Sequence, residues 1–257
     1  MPDPTPDPTP AALLADAVRR DPSRPLLTFY DDATGERTEL SVLTFANWVA
    51  KTANLLRDDL DAQPGERATI AFPVHWQAAV WVQACWEVGM VVDLTAGEAA
   101  AVAVVTHEAA AADADAVVSL GLGPMGLPRP GGSPSYRTAL DYDREVPGHG
   151  DRFDPTPGAA VAAGLVVADG ALGAADLVAA ATVASSLEPG GRLLVTDPIR
   201  DLDTVLGTVL VPLASSVTAV LCRHLDPARL PGRVEQEGLV AALGDSGGLL
   251  PAWRPRG

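Results

Sequence analysis

The sequence predicts an α/β protein built on a mostly parallel, helix-flanked sheet in one or two lobes. Three observations carry that expectation. Short apolar runs alternate with segments of helical period in both halves of the chain, the strand, crossover helix, strand order of a parallel sheet. With 257 residues, 47% of them apolar, and a mean hydropathy of +0.16, the chain can bury a core without help from disulfides or metals. Between the halves, residues 121–158 are crowded with Pro and Gly, and they read as a linker joining a lobe at 11–120 to a second at 159–243.

Residues 1–10 alternate Pro with Asp and Thr, which prevents helix and buries nothing, so a solvated tail is expected there; without a basic or hydrophobic region it is no signal peptide. Thr9 as N-cap and Pro10 in the first turn start a short amphipathic helix over 11–20 that ends at Asp21-Pro22. Strands at 26–30 and 38–40, separated by a turn containing Gly35, form a hairpin. Ser41 caps the clearest helix, in which Phe45, Trp48, Val49, Thr52, Leu55 and Leu56 recur at intervals of three and four. Pro64-Gly65 turns the chain into a strand at 68–72, followed by a helix over 75–88 and a strand at 90–94. Further strands are expected at 101–105, 115–120, 160–168, 192–196 and 216–222, with helices near 173–187, 202–213 and 226–237. The Gly/Pro-rich end, 244–257, reads as a frayed tail.

Charge narrows the function. Asp and Glu number 33 against 18 Lys and Arg, a formal charge of −15, and this field repels a phosphate backbone. Nucleic acid is not expected as a partner. No run of about 18 strongly apolar residues offers a membrane span. Cys85 and Cys222 lie among apolar residues without zinc-ligand spacing, as reduced core thiols of a cytoplasmic protein would. Lys51 is the single lysine, and it falls off the apolar stripe of its helix, where a solvated position is expected.

Several motifs compete with plain structural readings. Gly121-Leu122-Gly123-Pro124-Met125-Gly126 matches the spacing of a dinucleotide loop after a strand, but Pro128 and Pro130 follow where a helix should open, so a turn is expected. Leu187 to Val195, containing Pro189-Gly190-Gly191, resembles a late segment of S-adenosylmethionine-dependent methyltransferases. With Gly121 and Gly123 it makes a second functional reading, although Pro-Gly-Gly before a strand is also an ordinary helix-to-strand turn. No phosphate-loop lysine is present, since Lys51-Thr52 follows Ala50 without a glycine-rich loop. His75, His107, His149 and His224 have no ligand spacing, and Ser185-Ser186 and Ser215-Ser216 lack a nucleophile elbow. Asp141, Asp143, Glu145, Asp151 and Asp154 read as a solvated acidic loop rather than a cation site. No catalytic, cofactor-binding or metal residue is assigned from these patterns.

The order of the segments resembles a known family. Asp21-Pro22-Ser23-Arg24-Pro25-Leu26-Leu27, then Arg37-Thr38-Glu39-Leu40-Ser41 leading to Asn54-Leu55-Leu56, is similar to the opening of AMP-forming acyl-CoA synthetases and adenylation domains. So are Pro64-Gly65-Glu66-Arg67-Ala68-Thr69-Ile70 and Ala84-Cys85-Trp86-Glu87-Val88-Gly89-Met90, and in the second half Gly191-Arg192-Leu193-Leu194-Val195-Thr196-Asp197-Pro198 through Val220. The resemblance implies the N-terminal subdomains of that fold, truncated. It also implies a departure. The family's lysine-bearing, hydroxyl-rich phosphate loop would stand at 154–164, and that stretch has neither its lysine nor its run of hydroxyls. The magnesium and adenine segment and the C-terminal lid have no counterpart either. The expectation is a catalytically degenerate relative, taking no cofactor and having a ligand-binding role (acyl or nucleotide) or a protein partner. Methyltransferase activity and residual ATP-dependent carboxylate ligation are the alternatives.

Overall fold

The computed structural model describes residues 8–95, 99–107, 114–128, 131–132 and 139–255. Thr9 caps helix α1 (Pro10–Arg20), its Oγ1 accepting from Ala12 N at 3.1 Å. Strands β1 (Pro25–Asp31) and β2 (Glu36–Ser41) form the expected antiparallel hairpin, and Gly35 takes the left-handed turn position at φ +78°. Ser41 caps α2 (Val42–Asp58), accepting from Thr44 N at 3.1 Å. Then come β3 (Arg67–Ala71), α3 (Trp76–Val88), β4 (Val91–Asp93), β5 (Ala100–Thr106) and β6 (Ala114–Leu120). Helix α3 ends at Gly89, φ +92°, where a Cβ would stand 2.2 Å from Ala159 O, so both the helix stop and the packing require glycine.

Beyond β6 the chain forms β7 (Leu140–Asp141), α4 (Tyr142–Glu145), α5 (Ala159–Ala162), β8 (Gly164–Val167), β9 (Gly170–Gly173) and α6 (Ala174–Ala184). It finishes with β10 (Arg192–Val195), α7 (Leu202–Val205), α8 (Val211–Ser215), β11 (Thr218–Arg223), α9 (Leu230–Glu237) and β12 (Leu239–Leu243). A π-helical stretch, Leu206–Leu210, joins α7 to α8. Pro212 has no N–H to return to Thr208, and the helix widens there.

The strands make two sheets. One has the order β12-β10-β11-β1-β2 and is parallel apart from the β1–β2 hairpin; the other runs β7-β6-β5-β3-β4-β8-β9 and is parallel apart from β8–β9. The mostly parallel, helix-flanked α/β class therefore stands. The division into lobes at 11–120 and 159–243 does not follow the sheets: β1 and β2 pair into the sheet of β10 to β12, while β8 and β9 complete the sheet of β3 to β6. Pairing partners are chosen by burial across the whole chain, which sequence proximity does not record.

Three further expectations change. In the expected linker 121–158, α4 places Tyr142 in the core with no exposure, its hydroxyl 2.7 Å from Thr52 Oγ1, and Val146 is equally buried. In the expected frayed tail, Trp253 is 4% exposed and its N–H donates to Ala242 O, anchoring the chain beside β12. The strand expected over 160–168 begins as α5, and a hairpin turning at Gly170 (φ +141°) adds β9 before α6. Of the solvated tail expected over 1–10, residues 1–7 lie outside the described residues, and at its end Thr9 and Pro10 are buried as the cap and first turn of α1.

Helix α3 occupies the centre. Apart from Glu87 every one of its residues is buried, and Trp76, Trp81 and Trp86 are fully enclosed. Trp86 Nε1 donates to Gly164 O at 2.9 Å, tying the helix to β8. One apolar cluster runs from Leu14 of α1 through Phe29 and Trp81 to Val104 and Leu120 on one side and Leu193 and Leu210 on the other. No helix among the described residues is long and apolar enough to cross a membrane.

Candidate functional site

In open parallel sheets ligands bind outside the carboxyl ends of the strands. At that edge of the larger sheet, β5 delivers His107 and β6 delivers Gly121, while β7 and α4 bring Asp141 and Asp143 against them. Asp143 is fully buried, and its Oδ2 accepts from Gly121 N at 2.8 Å. His107 Nε2 lies 3.5 Å from Asp141 Oδ1, and Arg144 Nε lies 3.0 Å from Asp141 Oδ2. The ligand atoms of His107, Asp141 and Asp143 all fall within 4.8 Å of one another, a set that can accept a cation.

Two sequence readings change here. Within the acidic group Asp143 is interior and Asp141 half-buried, while Glu145, Asp151 and Asp154 are exposed as expected, and a histidine without ligand spacing in the chain joins the first two through sheet pairing. Arg144 and the Gly121 amide already supply positive partners, so the arrangement also serves as an internal brace of the sheet edge. His107 is 34 positions from Asp141, a distance at which no local motif signals the contact.

The glycines of 121–126 act through packing. A Cβ at Gly121 would stand 2.7 Å from Asp143 Oδ2 and 3.1 Å from His107 Cε1, and one at Gly126 would stand 2.8 Å from Trp48 Cη2. Pro124–Gly126 is a single turn, after which Leu127 is extended, so no helix N-terminus faces the loop. Leu122 and Met125 sit at positive φ, 52° and 56°, as a tight turn over Trp48 and Trp76 demands. Gly190 (φ +84°) lies in the turn before β10, its N–H donating to Ser216 O at 2.9 Å. The two glycine segments therefore flank opposite strand ends in different sheets, and the methyltransferase reading loses the common pocket that it needs.

Lys51 is not simply solvated. Its Nζ donates to His149 O at 2.6 Å and pairs with Asp151 at 2.7 Å. His75 caps α3, its Nδ1 accepting from Gln77 N at 3.2 Å; His149 pairs with Asp59 at 3.0 Å and His224 with Asp31 at 2.8 Å. Although burial pushes the Asp31 carboxyl upward, hydrogen bonds from His224 and Ala33 N hold it below the usual carboxylate range. Arg233 grips Asp32 at 2.6 and 3.0 Å and covers the Tyr30 ring at 4.2 Å, fixing α9 to the smaller sheet. Burial pushes both thiols, Cys85 and Cys222, up to about 12, which leaves them protonated and unreactive. Ser185 ends α6, and Ser216, at φ +57°, accepts from Arg20 at 3.1 Å.

The carboxyl ends of the two sheets meet where Val74 and His75 follow β3 and Asp197 to Ile199 follow β10. With Thr208 and Leu221 these residues enclose a space of about 10 Å³, room for one water at most. At the stretch 154–164, Gly158 (φ +79°) leads into α5, which leads directly to β8 beside β4.

No family model matches the chain. A curated protein of Mycobacterium tuberculosis, "TIGR03089 family protein", is 37% identical over 257 residues, covering 93% of this chain and 99% of its own length. Among solved structures, the N-terminal domain of FACL13 from Mycobacterium tuberculosis superposes with a TM-score of 0.68 at 10% identity over 91% of this chain. A long-chain-fatty-acid-CoA ligase (FadD1) from Archaeoglobus fulgidus gives 0.68 at 13% over 92%, and an acetoacetyl-CoA synthetase from Streptomyces lividans gives 0.67 at 16% over 91%. The chain spans 62%, 51% and 42% of those three structures, respectively. At such identities the likeness shows the fold, that of the N-terminal part of acyl-CoA synthetases.

Proposed function

Because the chain belongs to the TIGR03089 family and carries an acyl-CoA synthetase-like fold, we propose that it keeps this framework without adenylating chemistry and has a ligand- or partner-binding role. The observation that carries the reading is the acidic lining of the junction at the carboxyl ends of the two sheets. The space between His75, Asp197 and Thr208 holds about 10 Å³, and beside it a cleft of about 500 Å³, large enough for a nucleotide, is lined by Asp169, Asp201 and Asp203 with Arg200, which is itself paired with Asp197 and Asp201, a balance that repels phosphates.

The charges support the same reading. Acyl-adenylate formation places a carboxylate against an α-phosphate and needs cationic groups to take up the developing charge. Lys51, the one lysine, is engaged with His149 and Asp151, and Thr156 is the one hydroxyl in 154–164. The test is ATP–pyrophosphate exchange with acetate, octanoate and palmitate as acceptors in the presence of Mg²⁺. No exchange above the buffer blank is expected; exchange dependent on any one of the acids would overturn the reading.

A further inference from the structure

Helices α1 and α2 and residues 151–154 enclose an open groove of about 410 Å³, away from the strand ends described above. Its walls are apolar, with Leu14 and Val18 on α1, Val49 and Ala50 on α2, and Phe153 on the loop. Glu87 reaches its base from the last turn of α3, the one residue of that helix that keeps part of its surface open.

An acid is poorly served at this position. The carboxyl end of a helix disfavours negative charge, and among the described residues no ion pair reaches Glu87. Gln83 Nε2 donates to its Oε1 at 3.2 Å, a bond that a glutamine at position 87 would also accept. Burial pushes the Glu87 carboxyl up to about 7. The charged groups around the groove are largely committed elsewhere: Arg19 to Asp16 and Asp151 to Lys51, with Arg152 and Asp154 at the solvent edge. What remains is an apolar trough with an uncompensated carboxyl at its floor, the pattern of a small-molecule site with one orienting polar group.

We infer that this groove binds a medium-chain amphipathic amine, its hydrocarbon body on Leu14, Val18, Val49 and Phe153 and its ammonium on the Glu87 carboxylate. The inference names a ligand class for the ligand-binding role proposed above and rests on that reading.

The experiment is calorimetric titration of the full chain with octylamine, octanol and octanoate below their aggregation limits. Octylamine is expected to bind saturably at one site, about tenfold or more tighter than octanol, as a charge-assisted hydrogen bond would give. Affinity should rise between pH 6 and pH 8 as Glu87 ionises while the amine stays charged. Glu87→Gln should bring octylamine down to the octanol value, and Ala15→Trp, at an exposed position of α1 facing the groove, should abolish binding of both. Octylamine no tighter than octanol, an unchanged affinity in Glu87→Gln, or a preference for octanoate would each overturn the inference. Failure of this titration leaves the reading of a framework without adenylating chemistry standing, because that is tested separately by pyrophosphate exchange.

Discussion

Glu87 is where the sequence and the interior disagree most. Its folded carboxyl lies at about 7 against an ordinary value of 4.5, so the folded state holds a proton that the unfolded chain has already released between those pH values. The stability tied to that proton is fully present below pH 4.5 and is lost as pH rises through 7. Glu87→Gln should therefore match the parent protein at pH 4.5 and exceed it at pH 8 by roughly 2–3 kcal/mol, read from urea midpoints at both pH values. An equal difference at the two pH values would contradict this account. Nothing near Glu87 in the chain announces its position, since one acid in the last turn of the helix expected over 75–88 carries no local sign of burial. His107 and Asp143 were equally hidden, one assigned to no site and the other to a solvated loop. Both meet at Gly121 only after β5 and β6 pair. By contrast the caps Thr9 and Ser41 were legible, because a hydroxyl before an apolar period has a local meaning.

At the scale of elements, α2 holds down the segment that closes the groove. Lys51, Asn54 and Arg57, spaced three apart on one helical face, donate to His149 O, to Gly150 O and Arg152 O, and to Asp154 O. The Asn54 bonds measure 3.0 and 2.8 Å. Asn54→Ala removes both at once and should cost about 1–2 kcal/mol. Trypsin should then cut after Arg152 faster than in the parent chain, under conditions where the rest of the protein stays intact; an unchanged cleavage rate would show that the tie does not hold the loop. The spacing of Lys51, Asn54 and Arg57 is visible in the sequence, yet its purpose is not, because the acceptors are backbone carbonyls of an irregular stretch. The π-helical stretch at Leu206–Leu210 and the β8–β9 hairpin escaped for a related reason: one apolar run fits helix and strand alike, and Pro212 inside a helical period does not say how the backbone adjusts.

At the scale of the whole molecule, the alternation of strands and helices fixed the class, while the partition into two sheets depended on pairings across roughly 70 to 190 residues. Leu27 of β1 lies opposite Ala219 of β11, and Val92 of β4 opposite Leu165 of β8, contacts that no local period encodes. The resemblance to acyl-CoA synthetases captured that arrangement through the order of its segments, and the solved structures bear it out as a fold. The central claim is that this framework persists without the ATP site that makes it a ligase. The most direct measurement is a titration of the protein with ATP and Mg²⁺ followed by thermal unfolding. A ligand at about 100 times its dissociation constant adds about 2.7 kcal/mol, a displacement that is easily seen. The account predicts a melting temperature that does not move with ATP and Mg²⁺ up to several millimolar. A saturable rise in melting temperature would contradict it and would mean that the carboxyl ends of the two sheets admit the nucleotide despite their acidic lining.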